Sequence, residues 1–231
     1  MSRRLYIAIV LMVAALTLVL AAVSMNPALR PATIPGEARA LAAAEVRSYR
    51  GEDLSSVNDF HENSILGPQY INESDYHLSV TGLTLATKNS TYREILASHR
   101  HYTKVVTLHC VEGWDVTILW EGVLVRDLIS EAGIDPRANT VIFHARDGYT
   151  TVFPLSYFMN NDIIMAYKMN NVTLPDERGY PFELVAEDKW GYKWIKWIEE
   201  IELSDNPGYK GYWEQRGFSI SGDLDGSHFS L

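Results

Sequence analysis

From residue 76 to residue 204 the apolar positions fall into short runs whose period alternates between two and about 3.6, the pattern of strands interrupted by a few helices. The run "YHLSVTGL" puts Tyr76, Leu78 and Val80 on one face and then reaches a glycine, which predicts a strand followed by a turn. "TYREILAS", Thr91 to Ser98, predicts a short helix with Thr91 as its N-cap, and "YTKVVTLHC" a β-branched strand ending at Cys110. "WEGVLVRDLISEAGI" carries Val123, Leu124, Leu128 and Ile129 at helical spacing and stops at Gly133, so a second helix is expected there. "NTVIFHARDGYTTVFPL" predicts two strands around the Asp147-Gly148 turn. "NNDIIMAYKMNN" predicts a buried strand between turn residues. "YPFELVAEDKWGYKWIKWIEEIEL" predicts two final strands, with Trp194, Ile195 and Ile198 among their apolar residues. No repeat of domain-building length occurs. The class expected is α+β, mainly β with short helices.

Upstream the pattern changes twice. Leu5 to Ser24 is an unbroken apolar run without a charge, matching the ~20 residues a helix needs to cross a bilayer. Arg3 and Arg4 ahead of it predict a cytoplasmic N-terminus and export of the remainder. Residues 1–24 therefore read as a signal anchor, or as a signal peptide cleaved near Ala22-Val23-Ser24. "SRRLYI" also resembles a twin-arginine signal, the route for proteins exported already folded around cofactors. Residues 25–70 form a stalk, with a helix-forming stretch "GEARALAAAEVRSY", followed from Gly51 to Tyr70 by a polar, aperiodic extended arm. Residues 71–231 form the domain. Asn72, Asn89 and Asn171 open N-x-S/T sequons, which count only in a glycosylating host.

Composition narrows the function classes. A 47% hydrophobic content leaves enough apolar side chain for a real core, and the net charge of −9 without a basic block argues against nucleic acid as partner. One cysteine excludes an intramolecular disulfide.

That cysteine, in "TLHCVEGWDV", is the candidate for chemistry. A lone cysteine is commonly a small buried hydrophobe, but Cys110 sits at a strand end with Gly113 ready to turn the backbone, the kind of rim where sites lie. As a nucleophile it needs a base, and His109, its neighbour on the strand, points to the opposite face. His99 and His101 share a strand face and suit zinc as a pair, yet no second pair completes a tetrahedral set. A soft thiolate donor for a metal that brings its other ligands with it is the third reading.

Five blocks, "HCVEGWDVTILWEGVLVRDLISEAGI", "VIFHARDGYTTVFPL", "MAYKMNNVTLPDERGYPFELV", "WGYKWIKWIEEIEL" and "GYWEQRGFS", occur here in the order they take in the molybdopterin-binding oxidoreductase family of sulfite oxidase and the periplasmic methionine-sulfoxide reductase catalytic subunit. From Tyr76 to about Ser219 the chain resembles that family. The resemblance implies the sulfite oxidase fold, preceded here by one N-terminal transmembrane or signal helix. It also implies that Cys110 is the protein ligand to molybdenum or tungsten in a molybdopterin cofactor. A pterin dithiolene supplies most of the donors, so one thiolate from the protein suffices. Glu112 and Trp114 then orient the Cys110 loop. "GYKWIKW" resembles the family's pterin-phosphate loop through Gly191, Tyr192, Lys193 and Lys196, with Trp194 where serine is common.

The chain departs from the family at "NNVTLPDERGYPFEL", where the pattern is N-G-x-x-L-P-x-x-H-G-x-P-x-R-L. Asn170 is kept, Asn171 replaces the glycine, Arg178 the histidine and Glu183 the arginine. Glu183 thus puts an acid where a phosphate-facing cation is expected, a repulsion of about a kcal/mol or more at close range. Arg178 and Arg146 are the cations able to compensate. Ala145 stands where the reductase branch uses a cofactor-contacting threonine, and Tyr212 and Trp213 fall in a block that either approaches the site or forms a surface hook. The implied activity is two-electron oxygen-atom transfer on a small oxo-substrate, sulfite, a sulfoxide or similar. It would be carried out outside the cytoplasm by a monomer exchanging electrons with a separate protein, membrane-bound or free, since neither the cytochrome b5 domain nor the dimerisation domain of sulfite oxidases is expected in this sequence. The alternative is a binding module that keeps the fold and has lost the cofactor.

Overall fold

The computed structural model describes residue 41 and residues 43–230. The apolar run Leu5–Ser24 and the stalk as far as residue 40 lie outside the described residues, among which no helix is long and apolar enough to cross a membrane. A small hairpin comes first, β1 (Ser48–Tyr49) with β2 (Glu52–Asp53). Then follow β3 (His77–Gly82), β4 (Lys88–Thr91), α1 (Tyr92–Ser98), β5 (His101–His109), β6 (Asp115–Leu124) and α2 (Val125–Ala132). The rest is β7 (Thr140–Ala145), β8 (Thr150–Pro154), α3 (Leu155–Asn160), β9 (Ile164–Met169), β10 (Val172–Thr173), β11 (Glu183–Val185) and β12 (Ile198–Ser204).

These strands make two five-stranded sheets. One has the order β10-β9-β6-β5 with β11 also on β9, and all its pairs are antiparallel. The other has the order β4-β3-β12-β7-β8, in which β12 runs parallel to β3 and antiparallel to β7. Apolar faces of both meet in one core: Leu78, Phe143 and Ile201 from the second sheet, Ile118, Trp120 and Met165 from the first. Each such side chain contributes about 1.5–3 kcal/mol on burial. The mainly β architecture with short helices is as the periodicity predicts.

Tyr76, Leu78 and Val80 are buried together, and Thr91 caps α1 in a full capping box with Glu94, whose carboxylate accepts from the Thr91 N–H. The second helix is shorter than its spacing predicts. Trp120 to Leu124 belong to β6 because they pair with β9, and Gly122 lets the two backbones close up where any Cβ would meet the Met165 carbonyl. Val123 and Leu124 are buried as strand residues, and the helix starts at Val125. Trp194 and Ile195 are likewise not in a strand. They follow a 3-10 turn, Gly191–Lys193, in the connection to β12. The helix-forming stretch expected before residue 50 lies partly outside the described residues; within its described part Leu41 is helical, the chain turns at 43–45, and Ser48–Tyr49 is strand.

Candidate cofactor site

Strand β5 ends one residue before Cys110, and the chain reverses at once: Gly113 N–H donates to the Cys110 carbonyl (3.1 Å) and Cys110 N–H to the Trp114 carbonyl (2.9 Å), with Gly113 at φ 89°. This turn brings Cys110 half-buried onto the wall of a cavity of about 520 Å³, within the range of small-molecule and cofactor sites. Burial pushes the Cys110 thiol up, opposed by backbone N–H groups of Glu112 and Val111. A thiol shifted that way is a poor nucleophile at neutral pH, which speaks against the nucleophile reading of Cys110. Glu112 ties the loop down, accepting from Trp114 Nε1 (3.1 Å) and from Asn63 Nδ2 (3.3 Å).

Gly191 belongs against this loop for a steric reason. Trp190 bridges to His109, and a Cβ on Gly191 would lie 3.2 Å from the His109 carbonyl oxygen and 3.5 Å from Cys110 Cα. Gly191, Tyr192 and Lys196 all line the cavity. The Tyr192 hydroxyl donates to the Ser219 carbonyl (2.8 Å), and its own carbonyl accepts from the Tyr149 hydroxyl.

Two cations stand on the cavity wall, Arg178 buried and Lys196 partly buried. Arg178, on the 3-10 turn Asp176–Arg178, donates through Nε to the Val57 carbonyl (3.1 Å) and through Nη2 to the Phe60 carbonyl (3.2 Å), with its guanidinium carbon 4.8 Å from the Phe60 ring centre. Lys196 donates to Glu62 Oε1 (3.1 Å) and to the Glu177 carbonyl (3.3 Å). Burial lowers the pKa of both, while the facing carboxylates act the other way. Glu183, on β11, lines the same cavity. Burial pushes its carboxyl up to about 8 against the pull of Lys196 and Arg178, and its Oε2 has no hydrogen-bond partner among the described residues.

The other positions singled out by the sequence are placed elsewhere. Lys193 is fully buried on the far side of the 3-10 turn, where its ammonium donates to Glu214 Oε1 (2.7 Å), the Val152 carbonyl (2.6 Å) and the Ile220 carbonyl (2.9 Å). Arg146 pairs with Glu199 (2.5 Å) and is half-exposed. Asn170 is buried with its side chain bonded to Leu119 N–H, Glu45 and the Ser55 carbonyl, so it fastens the start of the arm to the sheet. None of these three lines the cavity. Of the histidines considered for zinc, His99 faces Glu131 and His101 bonds the Tyr167 hydroxyl. Among the described residues no group of three or more His, Cys, Asp or Glu is placed to hold an ion.

Residues to which the sequence assigned no role complete the wall. Phe60, His61, Asn63 and Ser64 of the arm line the cavity, with the His61 and Trp114 rings 5.2 Å apart. The only hint of them is an aromatic and a histidine in an otherwise polar stretch, too little to separate from a surface loop. Trp197 also lines it, in a left-handed conformation (φ 52°) that a bulky side chain adopts only where the surroundings impose it. Its Nε1 donates to the Asp176 carbonyl (2.6 Å), which locks the Lys196 segment to the Arg178 turn. Tyr212, Trp213 and Phe218 form an aromatic rim.

The residues present fit a pterin-held metal. A single soft donor lines a roomy cavity, the cations Arg178 and Lys196 stand on the same wall, and two wall atoms, Ser64 Oγ and Glu183 Oε2, are buried without partners among the described residues and available to a ligand. Fold and cavity together define a mainly β domain with one thiol on the wall of a cofactor-sized cavity. The comparisons give the family. The oxidoreductase molybdopterin binding domain matches residues 66–213, and the chain belongs to that family. It is 31% identical over 157 residues to the oxidoreductase YuiH of Bacillus subtilis, covering 68% of this chain and 78% of that one. It is 28% identical over 178 residues to the protein-methionine-sulfoxide reductase catalytic subunit MsrP of Gluconobacter oxydans (67% and 57% covered) and 27% identical over 200 residues to the mitochondrial sulfite oxidase of Drosophila melanogaster (74% and 35%). The chain thus spans little more than half of the reductase subunit and about a third of the sulfite oxidase. The sulfane dehydrogenase SoxCD of Paracoccus pantotrophus shares the fold, with a TM-score of 0.59 at 22% identity over 65% of this chain and 42% of that one.

Proposed function

We propose that this protein is an exported molybdenum-pterin oxidoreductase that transfers an oxygen atom, with two electrons, to or from a small oxo-substrate. The supporting observation is the position of Cys110: a half-buried thiol on the wall of a cofactor-sized cavity that also carries Arg178 and Lys196. When bound, the metal centre supplies the two-electron oxygen chemistry, and Cys110 is the residue that would hold it. The chain's own residues do the rest. Glu112 fixes the Cys110 loop through Trp114 and Asn63, Lys196 and Arg178 offer charge to the cofactor's phosphate, and Trp114, Tyr212 and Trp213 keep bulk water from the reacting end. Location outside the cytoplasm, tethered through residues 5–24 or secreted after cleavage, is part of the same reading, as are a separate electron-transfer partner and a monomeric state.

The test is metal and pterin analysis of the full chain from its native host, beside Cys110→Ser. Wild type is expected to carry molybdenum or tungsten and pterin in near one-to-one amount. The variant is expected to keep its circular dichroism spectrum and unfolding midpoint while oxygen transfer disappears; unchanged activity in the variant rules out the assigned ligand. A second reading, a binding module without cofactor, draws on Glu183 and on Lys193, whose ammonium is committed to Glu214. Wild-type protein free of metal and pterin would favour it.

A further inference from the structure

The acid at position 183 has an explanation in the geometry. Glu183 is almost wholly buried (3% exposed) on the cavity wall, and its Oε2 has no partner among the described residues. The charged groups acting on it are Lys196, on the segment before β12, and Arg178, on the Asp176–Arg178 turn; Glu177 and Glu62 act in turn on Arg178, and Glu62 on Lys196. Lys196 is engaged by Glu62 and the Glu177 carbonyl, and Arg178 uses Nε and Nη2 on arm carbonyls. This leaves Arg178 Nη1 and one Lys196 proton without a bond among the described residues. Two cations against Glu62, Glu177 and an ionised Glu183 leave one negative charge in excess, which an anion would enter only against the nearer carboxylate. With Glu183 neutral, that excess is gone and the wall offers one more donor.

We propose that Glu183 is a proton-bearing anchor: as the neutral carboxylic acid its unpartnered Oε2 donates a hydrogen bond to an oxygen of an anionic, phosphate-like ligand group held by Arg178 and Lys196, so that ligand entry takes up a proton from solvent. This rests on the cavity being a pterin-phosphate site, and it replaces a cation by a neutral donor at the position where repulsion was expected. A carboxyl titrating near 8 is available in its neutral form at pH 7 and ionised at pH 9. The proton consumed is the one that the ionised carboxylate takes up, and no other bond is made or broken.

The experiment measures sulfate binding to the full chain produced without pterin, by calorimetry between pH 6 and 9. Sulfate does not titrate in that range. Wild type should bind about tenfold more weakly at pH 9 than at pH 7, and buffers of different ionisation heat should report uptake of close to one proton at pH 9. Glu183→Gln, neutral at every pH and still a donor, should bind at pH 7 like wild type and stay tight at pH 9. A Glu183→Gln protein that loses affinity at pH 9 as wild type does would move the effect to Lys196 and overturn the proposal. Binding without proton uptake, or no sulfate binding at all, would also overturn it. Should the variant not fold, proton uptake by wild type alone decides. The molybdenum and pterin content of the native protein is judged separately, so the anchor can fail while the oxidoreductase reading stands.

Discussion

Lys193 and Lys196 lie three residues apart on one segment and meet opposite fates. Lys193 is sealed in, its ammonium ringed by Glu214 and two carbonyls, with both charges of the pair wholly out of solvent. Lys196 stands on the cavity wall, with one donor direction uncommitted beside Glu183 and Arg178. The 3-10 turn at Gly191–Lys193 and the left-handed Trp197 place the two side chains on different sides of the segment. Each cluster leaves one carboxylate oxygen unmet, Glu214 Oε2 and Glu183 Oε2, so place is what separates them: the Lys193 pair is sealed away from the cavity, whereas Lys196, Arg178 and Glu183 line it and can meet a ligand.

The largest effect should come from breaking the closed pair. Lys193→Met alone strands the Glu214 carboxylate and should cost about 3–5 kcal/mol in denaturant unfolding, while Lys193→Met with Glu214→Leu should recover most of it. A double variant as unstable as the single would show that the pair's geometry, not its buried charge, matters. Next comes Lys196→Ala, expected to lose about 1–2 kcal/mol of stability but most of the bound pterin and metal, read from the content of protein purified from the native host. Equal loss of stability in the two single variants would erase the contrast. The last effect, on pH dependence, is predicted as a direction. Glu183 has a folded-state pKa of about 8, above its ordinary 4.5, so the folded state holds the extra proton. Its contribution to stability is complete below the unfolded value and is lost as pH rises through 8. Wild type should therefore lose stability between pH 5 and 9, and Glu183→Gln should show a flatter profile in thermal melts.

Much of this was legible in the sequence, because periodicity reports burial. Tyr76, Leu78 and Val80, the Thr91 cap and the Asp147-Gly148 hairpin follow from local rules, and Cys110 from its place at a strand end. The second helix was overextended because Trp120 to Leu124 satisfy the helical pattern equally well. Their pairing with β9 decides, and pairing partners are nowhere in the local text. The two lysines looked alike for the same reason, since Glu214 reaches Lys193 from a distant segment. His61 and Ser64 stayed unmarked because the arm that carries them has no period to betray which side faces inward. Glu183 was visible as an anomaly, and its burial beside Arg178 and Lys196 is what makes the anomaly intelligible.

Among the described strands β12 comes last in order, yet it is the middle one of its sheet, between β3 and β7. Until it is in place, β3 and β7 each present a bare edge, and such edges invite pairing with other chains. The second sheet is therefore one whose centre is filled by a strand from beyond both of its flanks, and it closes only when that strand arrives.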